Sequence, residues 1–371
     1  MKITHLMVKS NISVLISFIK FVNENFDSDS HNFVIFGEKT ENDDLYKNYK
    51  NVKIIKRGYI STFELLKIIK KSDILLIHFL KLKNSTKLFL LLNRKLFRKI
   101  VWISWGADLY QWEKKYEGGF FKNLKNWFVN KINYFFRKKV NYFVGIFPPD
   151  IEFFNKNFSH NAKTFYSPYV GDIYTQLYKT EKHCFTSLDE KIKSGKTINI
   201  QIGHSSTKIL NHIEVLEVLE KFKTKKIKIF IPLSYGDMEY ADFVEKRALE
   251  LFGEKVVCMR GFLKRDEYLQ FLENVDIAIF NTFRQIGLGN IHPLLFMGKK
   301  IFLPENSIMY KFFRSRDINI KNYNEIKKMD FNQFTQPINM EKAKEYIQEY
   351  VDFEKRKKMW EKVFNESEKG G

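Results

Sequence analysis

Residues 275–298 read VDIAIFNTFRQIGLGNIHPLLFMG. Val275 to Phe280 is a short apolar run of strand length, and the run from His292 to Met297 is helix-like. Between them stand Gly287 and Gly289, flanked by Arg284, Gln285 and Asn290. Strand, glycine turn and helix in succession make a unit of α/β architecture. Glycines let a diphosphate approach the backbone, and a helix N-terminus offers aligned N–H groups with partial positive charge. Arg284 can add a charge-assisted contact to phosphate. The alternative reading is a plain strand-to-helix turn. No GxGxxG follows the first strand, which weakens a nicotinamide-dehydrogenase reading.

The same alternation extends outward from this unit. Strand-like runs lie at 197–202, 226–232, 255–259 and 299–303, separated by helix-like runs at 210–222, 237–251 and 265–273. A second series fills the first half. Its strands are expected at 3–8, 32–36, 52–55, 73–79, 99–104 and 140–145, and its helices at 13–25, 62–71 and 86–97. Such alternation implies parallel sheets covered on both faces. Residues 167–195 lose periodicity and read as a connection. With 371 residues, the chain is expected to hold two Rossmann-like, doubly wound domains, 1–170 and 196–340, followed by terminal helices over 341–371. Two such domains would face a central cleft, with ligands beyond the carboxyl ends of the strands.

The loops after the strands therefore supply the candidates. Gly203, His204, Ser205 and Ser206 open the segment GHSSTKILNH, whose glycine and hydroxyls suit a phosphate-binding turn or a simple capped turn. Ser234 and Tyr235 end another strand, and Glu305 and Asn306 a third, where they could meet sugar or ribose hydroxyls. In the first half, SWGADLY places Asp108 four residues past a strand. A carboxylate there could accept a proton from an incoming hydroxyl, or cap a helix. His78 closes its strand and is a second candidate base, or a structural hydrogen-bonder. Asp150, after Pro148 and Pro149, is a third candidate, with the same capping alternative.

Lys and Arg number 63 against 43 Asp and Glu, a net charge of +20. Residues 51–140 hold 21 basic and 5 acidic side chains, and so carry most of that surplus. Such a surplus calls for an anionic partner. Residues 81–99 and 120–139 mix base with aromatic and apolar side chains at helical spacing. Phe120, Lys122, Lys125, Trp127, Phe128, Lys131, Arg137, Lys138 and Lys139 could dock an anionic membrane surface. The alternative is an ordinary amphipathic helix with one face on the core. No run approaches the ~20 apolar residues of a bilayer span, and the N-terminus lacks the pattern of a signal peptide. Two cysteines, Cys184 and Cys258, form no metal-ligand spacing. Asp27-Ser-Asp29 spells DxD but follows a helix in a polar loop, and reads as solvated. No HExxH or GxSxG occurs, so no metal and no cofactor is expected.

Three segments, WGADLY (105–110), GHSSTKILNH (203–212) and RQIGLG (284–289), resemble in their order the bacterial 4-alpha-L-fucosyltransferase family. His204 and Ile286 depart from the family pattern. The resemblance implies a GT-B fold without an obligatory metal. It also implies a deoxy-amino sugar of the N-acetylfucosamine kind, carried by dTDP or UDP, and a polyprenyl-diphosphate-linked glycan as acceptor. The enzyme would then sit on the cytoplasmic face of the bacterial inner membrane, making cell-surface polysaccharide, and inversion at the sugar carbon is expected. Two other readings stand beside this one. The basic face could track a nucleic-acid backbone, or the fold could be a catalytically silent scaffold.

Overall fold

The apolar runs become strands in the computed structural model, which describes residues 1–9, 12–38, 41–56, 60–111, 120–158, 161–169 and 188–368. The chain divides into two units, Met1–Asp172 with Asp352–Gly371, and Ile173–Val351. The first contains β1 (Ile3–Val8), α1 (Ile12–Asn25), β2 (His31–Phe36), β3 (Val52–Ile55), α2 (Thr62–Lys71), β4 (Ile74–His78), α3 (Asn84–Leu92) and α4 (Arg94–Arg98). It continues with β5 (Ile100–Ile103), α5 (Ala107–Tyr110), α6 (Phe120–Lys139), β6 (Tyr142–Gly145), α7 (Pro148–Asn157) and β7 (Lys163–Tyr166). The second opens with α8 (Leu188–Lys193), β8 (Ile198–Ile202), α9 (His212–Leu219), β9 (Ile227–Pro232), α10 (Met238–Phe252), β10 (Val256–Met259) and α11 (Arg265–Asn274). It closes with β11 (Ile277–Ile279), α12 (Leu288–Phe296), β12 (Lys300–Leu303), α13 (Ile308–Arg314), β13 (Lys321–Asn322), α14 (Phe331–Thr335) and α15 (Glu341–Val351). A last helix, α16 (Phe353–Glu368), belongs to the first unit.

Each unit is one parallel sheet between helices. The first has strand order β3-β2-β1-β4-β5-β6-β7, the second β10-β9-β8-β11-β12-β13. In the first, Ile3, Met7, Phe33 and Ile35 face α1 and α16, while Leu6, Val34, Leu75 and Trp102 face the opposite layer with Leu65 and Phe136. Helix α1 turns Leu15, Phe18, Ile19 and Val22 inward, an i, i+3, i+4, i+7 stripe. Full burial of each such side chain stabilises by about 1.5–3 kcal/mol. Because both sheet faces are covered, the strands are continuous apolar runs rather than alternating ones. The strand order reverses between β1 and β4, and again between β8 and β11. Ligands of doubly wound sheets sit at such reversals, so the loops after these four strands are where function belongs.

Three features differ from the sequence reading. The run 86–97 is two helices, because Asn93 leaves helical geometry and caps α4 through a Leu96 N–H bond of 3.3 Å. The two terminal helices belong to different units. Helix α15 packs on α12 of the second unit, whereas α16 places Trp360, Val363 and Phe364 in the core of the first. Finally, α7, β7, α13 and β13 fall where no element was expected. Of the expected connection, 170–187 lies outside the described residues, and Leu188–Lys193 is helical.

Candidate functional site

In the second unit the loops after β8 and β11 lie side by side because their strands pair. Gly203 has φ 62° and Gly287 φ 74°, backbone that favours glycine. A Cβ on Gly203 would stand 2.6 Å from His212 Nε2, and one on Gly287 would stand 2.8 Å from His204 Nδ1. The imidazole of His204 thus packs against the Gly287 turn. Burial, with His212 and Arg284 nearby, pushes His204 down to about 3, so its ring is neutral. Not every group of the first loop is open to a ligand. Gly203 donates its N–H to Ile279 at 2.9 Å, and Ser206 gives both N–H (2.8 Å) and O–H (2.7 Å) to the Tyr235 carbonyl. Those bonds tie the loop down, which corrects the expectation that the whole Gly203–Ser206 turn faces phosphate. Ser205 pairs its hydroxyl with Thr207 at 2.9 Å. Among the described residues, the amides of His204 and Ser205 meet no acceptor.

Helix α12 begins at Gly287 with no side-chain cap. Asn290 and Ile291 are the first to bond back, to Gly287 O at 2.8 and 3.0 Å. The amides of Leu288 and Gly289 therefore lead the helix with no acceptor inside it. Arg284 is buried beneath this turn and donates Nη1 to Gln285 O at 3.1 Å. Among the described residues, Gln201 Oε1, His204 Nδ1, Thr282 Oγ1 and Gln285 Oε1 are buried and meet no hydrogen-bond partner. Such atoms are rare in folded proteins. Four of them on β8, β11 and their loops mark a place suited to a polar ligand.

The remaining second-unit candidates separate. Asn290 braces the turn, its Oδ1 accepting from Gln201 Nε2 at 3.3 Å and from the Tyr268 hydroxyl. Ser234 is half-buried; Tyr235 is exposed and stacks on Phe262 with ring centroids 6.0 Å apart. Glu305 and Asn306 are exposed after β12, and Asn322 donates to Glu305 at 3.2 Å. The cap of α13 is Ser307, which accepts from Tyr310 N–H.

In the first unit, Asp108 is buried and its carboxylate accepts three N–H groups: Leu80 at 2.8 Å, Trp102 Nε1 at 2.7 Å and Trp105 at 2.9 Å. It staples the ends of β4 and β5 to the loop at Gly106, whose φ is 83°. That geometry favours bracing over proton abstraction for Asp108. His78 is 1% exposed, and both its ring nitrogens are engaged, with His5 and with Tyr169. Asp150 accepts from Phe147 N–H at 3.2 Å and Tyr110 O–H at 2.6 Å. Burial raises it to about 7, against the pull of those two bonds. Among the described residues, no group of three or more His, Cys, Asp or Glu is arranged to hold a metal ion.

A family model described as 4-alpha-L-fucosyltransferase, glycosyl transferase group 56, matches residues 3–336. The chain belongs to this fucosyltransferase family. Solved structures agree on the fold. Anabaena HepE in complex with UDP matches with TM-score 0.68 and 13% identity, over 99% of this chain and 100% of HepE. The same protein in complex with UDP-glucose gives 0.66 and 11%, over 98% and 99%. Sucrose-phosphate synthase from Thermosynechococcus elongatus gives 0.64 and 9%, over 99% of each chain. The fold is GT-B, and the protein is a glycosyltransferase.

This member of the fucosyltransferase family carries a marked surface on its first unit. Helices α3 and α6 pack together, with Lys87 Nζ on Asn133 Oδ1 at 2.7 Å. Their outer sides expose Leu88, Phe89, Leu92, Leu124, Trp127, Phe128 and Phe135. Lys122, Lys125, Lys131, Lys138 and Lys139 are exposed among them. The side chain of Phe120 lies outside the described residues. Arg137 is a correction: it is 3% exposed, donates to Asp108 O at 2.8 Å and lies 5.2 Å over the Trp102 ring. Burial lowers its guanidinium to about 10, while Asp108 pulls it back up. No helix among the described residues is long and apolar enough to cross a membrane. Sequence reasoning missed Tyr169, His5, His31, Phe262 and Tyr268. Only the aromatic loop GFL at 261–263, after β10, carried a local signal for any of them.

Proposed function

We propose that this glycosyltransferase moves a deoxy-amino sugar from a UDP or dTDP carrier to a polyprenyl-diphosphate-linked glycan. The reaction would serve cell-surface polysaccharide assembly. The observation that carries the reading is the α12 N-terminus, with leading amides at Leu288 and Gly289 beside buried Arg284 and four unpartnered polar atoms. A diphosphate leaving group gains charge in the transition state, and preorganised donors favour that state most. Amides and a guanidinium together suit the role that a metal plays elsewhere. That HepE binds UDP supports a nucleotide carrier. The exposed Tyr235–Phe262 stack at the ends of β9 and β10 offers a face for the nucleoside base.

The basic, aromatic outer side of α3 and α6 supports a lipid-linked acceptor and a peripheral position on an anionic inner-membrane face. Neither 74–107 nor 120–139 contains an acidic residue. Rings at that surface would sit among headgroups, with lysines against phosphates. A thermal-shift screen of UDP-, dTDP- and GDP-sugars tests the donor reading, since a ligand of the folded state raises apparent stability. We expect a rise with a UDP- or dTDP-sugar. No shift with any of them, at concentrations well above 1 mM, would remove the donor site.

A further inference from the structure

Lys300 opens β12 and Lys321 opens β13, and the two strands run parallel with Lys321 beside Phe302. Side chains two apart on a strand share a face, and so do registered neighbours of a parallel pair. Lys300, Phe302 and Lys321 therefore stand on one face, at the β13 edge of the second sheet. The Lys300 ammonium lies 5.3 Å over the Phe302 ring, and Phe334 of α14 stacks on that ring with centroids 5.4 Å apart. Lys300 donates its three N–H groups to the carbonyls of Gln333, Phe334 and Gln336, at 3.2, 2.8 and 2.9 Å. Those bonds close the end of α14 and hold the segment that follows it against the sheet.

Beside this wall lies a cavity of about 520 Å³. Small-molecule sites run to roughly 300–1,000 Å³. Three lysines line it, Lys300, Lys321 and Lys328, against one acid, Glu325. Four Asn and Gln residues line it as well, with Met329, Pro337 and Ile338 as its apolar part. None of these residues belongs to the loops after β8 or β11, so the cavity is distinct from the turn at the start of α12.

The lysines of this wall are not balanced by acids. Lys327 reaches Glu214 at 3.5 Å, but among the described residues no carboxylate pairs with Lys321 or Lys328. Burial, and then the charge of Lys321, lower Lys300 to about 8. Two ammonium groups thus repel each other here, and an anion bound between them would relieve that repulsion. A lysine recognises phosphate as a point charge, and side-chain amides can donate to the oxygens that remain. The volume leaves room beyond a bare phosphate, and the apolar lining suits the carbon skeleton of a larger ligand.

We propose that this cavity is a second ligand site, separate from the donor turn, for an organic phosphate such as a sugar phosphate or a nucleoside monophosphate. Lys321 and Lys328 hold the phosphate, while Met329, Pro337 and Ile338 face the carbon skeleton. Lys300 has no N–H left to donate, so it lends charge and keeps 333–336 in place.

The test is hydrogen–deuterium exchange of the full chain with glucose 6-phosphate, AMP or inorganic phosphate at millimolar concentration. Titration calorimetry then compares wild type, Lys321→Gln with Lys328→Gln, and Arg284→Ala. We expect exchange over 319–339 to slow with glucose 6-phosphate or AMP. Affinity for that ligand should fall at least tenfold in the lysine variant and stay at the wild-type value in Arg284→Ala. Lys321 is half-buried and Lys328 exposed, so their replacement leaves the fold standing, and the exchange reading needs no variant. No slowing over 319–339 with either organic phosphate would overturn the proposal, as would undiminished affinity in the lysine variant. A loss in Arg284→Ala would place the ligand at the donor turn and overturn it too. Inorganic phosphate binding as tightly as either organic phosphate would contradict a site built for a larger ligand. A chain that binds no nucleotide-sugar would remove the donor reading and leave this test as it stands.

Discussion

Gly287 and Arg284 carry the donor site by different means, and substitutions separate them. A methyl on Gly287 would collide with His204 at a backbone φ of 74°. Gly287→Ala should therefore disturb the turn itself and lower both melting temperature and donor affinity. Arg284→Ala leaves that backbone alone. It should weaken binding of nucleoside diphosphate at least tenfold, while a calorimetric scan still shows cooperative unfolding. Asp108 gives a third contrast. Asp108→Ala strands three N–H groups, and a buried donor left unpaired costs about 1–3 kcal/mol. Urea unfolding should show a loss of several kcal/mol in Asp108→Ala, and a smaller one in Asp108→Asn, which keeps an acceptor oxygen. A carboxylate serving only as a base would give nearly equal stability in both variants.

Helix α6 divides into two chemistries along its length. Trp127, Phe128 and Lys131 stand outside, whereas Asn133, Phe136 and Arg137 are buried against the sheet layer. Trp127→Ser with Phe128→Ser should abolish sedimentation with anionic vesicles and leave urea unfolding within about 0.5 kcal/mol of wild type. Arg137→Ala should do the reverse, because it removes a buried guanidinium from the Asp108 carbonyl and the Trp102 ring. Some elements were plain in the sequence: β3 and α2 fall where their residue patterns put them. Helix α6 was legible as a helix, but periodicity alone could not show that Arg137 turns inward. Helix α7 announced itself only by Pro148 and Pro149 at its start, a position where proline suits a helix. The two-residue β13 has no pattern to read, since it pairs with β12 only at Lys321 and Asn322. The glycine turn at 287 was visible because its residue types are rare in helices. The row of His31, His5 and His78 was not, because strand pairing alone brings those positions together.

At the scale of the molecule, five of the buried imidazoles among the described residues set the acid response. His31 and His212 are lowered to about 4, His78 and His204 to about 3, and His5 well below its ordinary value, all chiefly by burial. Each folded-state value is depressed, so the unfolded chain binds protons first as pH falls through about 6.5. Stability is thus full above that pH and declines below it, by up to about 1.4 kcal/mol per pH unit for each imidazole. Asp150 acts oppositely, since its raised value near 7 lets the folded state take up a proton before the unfolded one does. Melting temperature should fall steeply between pH 6.5 and pH 4.5. His204→Phe or His212→Phe should flatten that slope, and Asp150→Asn should raise stability at pH 8 more than at pH 4.

Isothermal titration of UDP and dTDP into the full chain, beside Arg284→Ala and the Trp127→Ser, Phe128→Ser pair, tests the donor site most directly. One nucleotide should bind the wild type and the α6 variant with equal affinity at one site per chain, and bind Arg284→Ala at least tenfold more weakly. Equal affinity in Arg284→Ala, or no heat from either nucleotide, would contradict the placement of a nucleoside diphosphate at the start of α12.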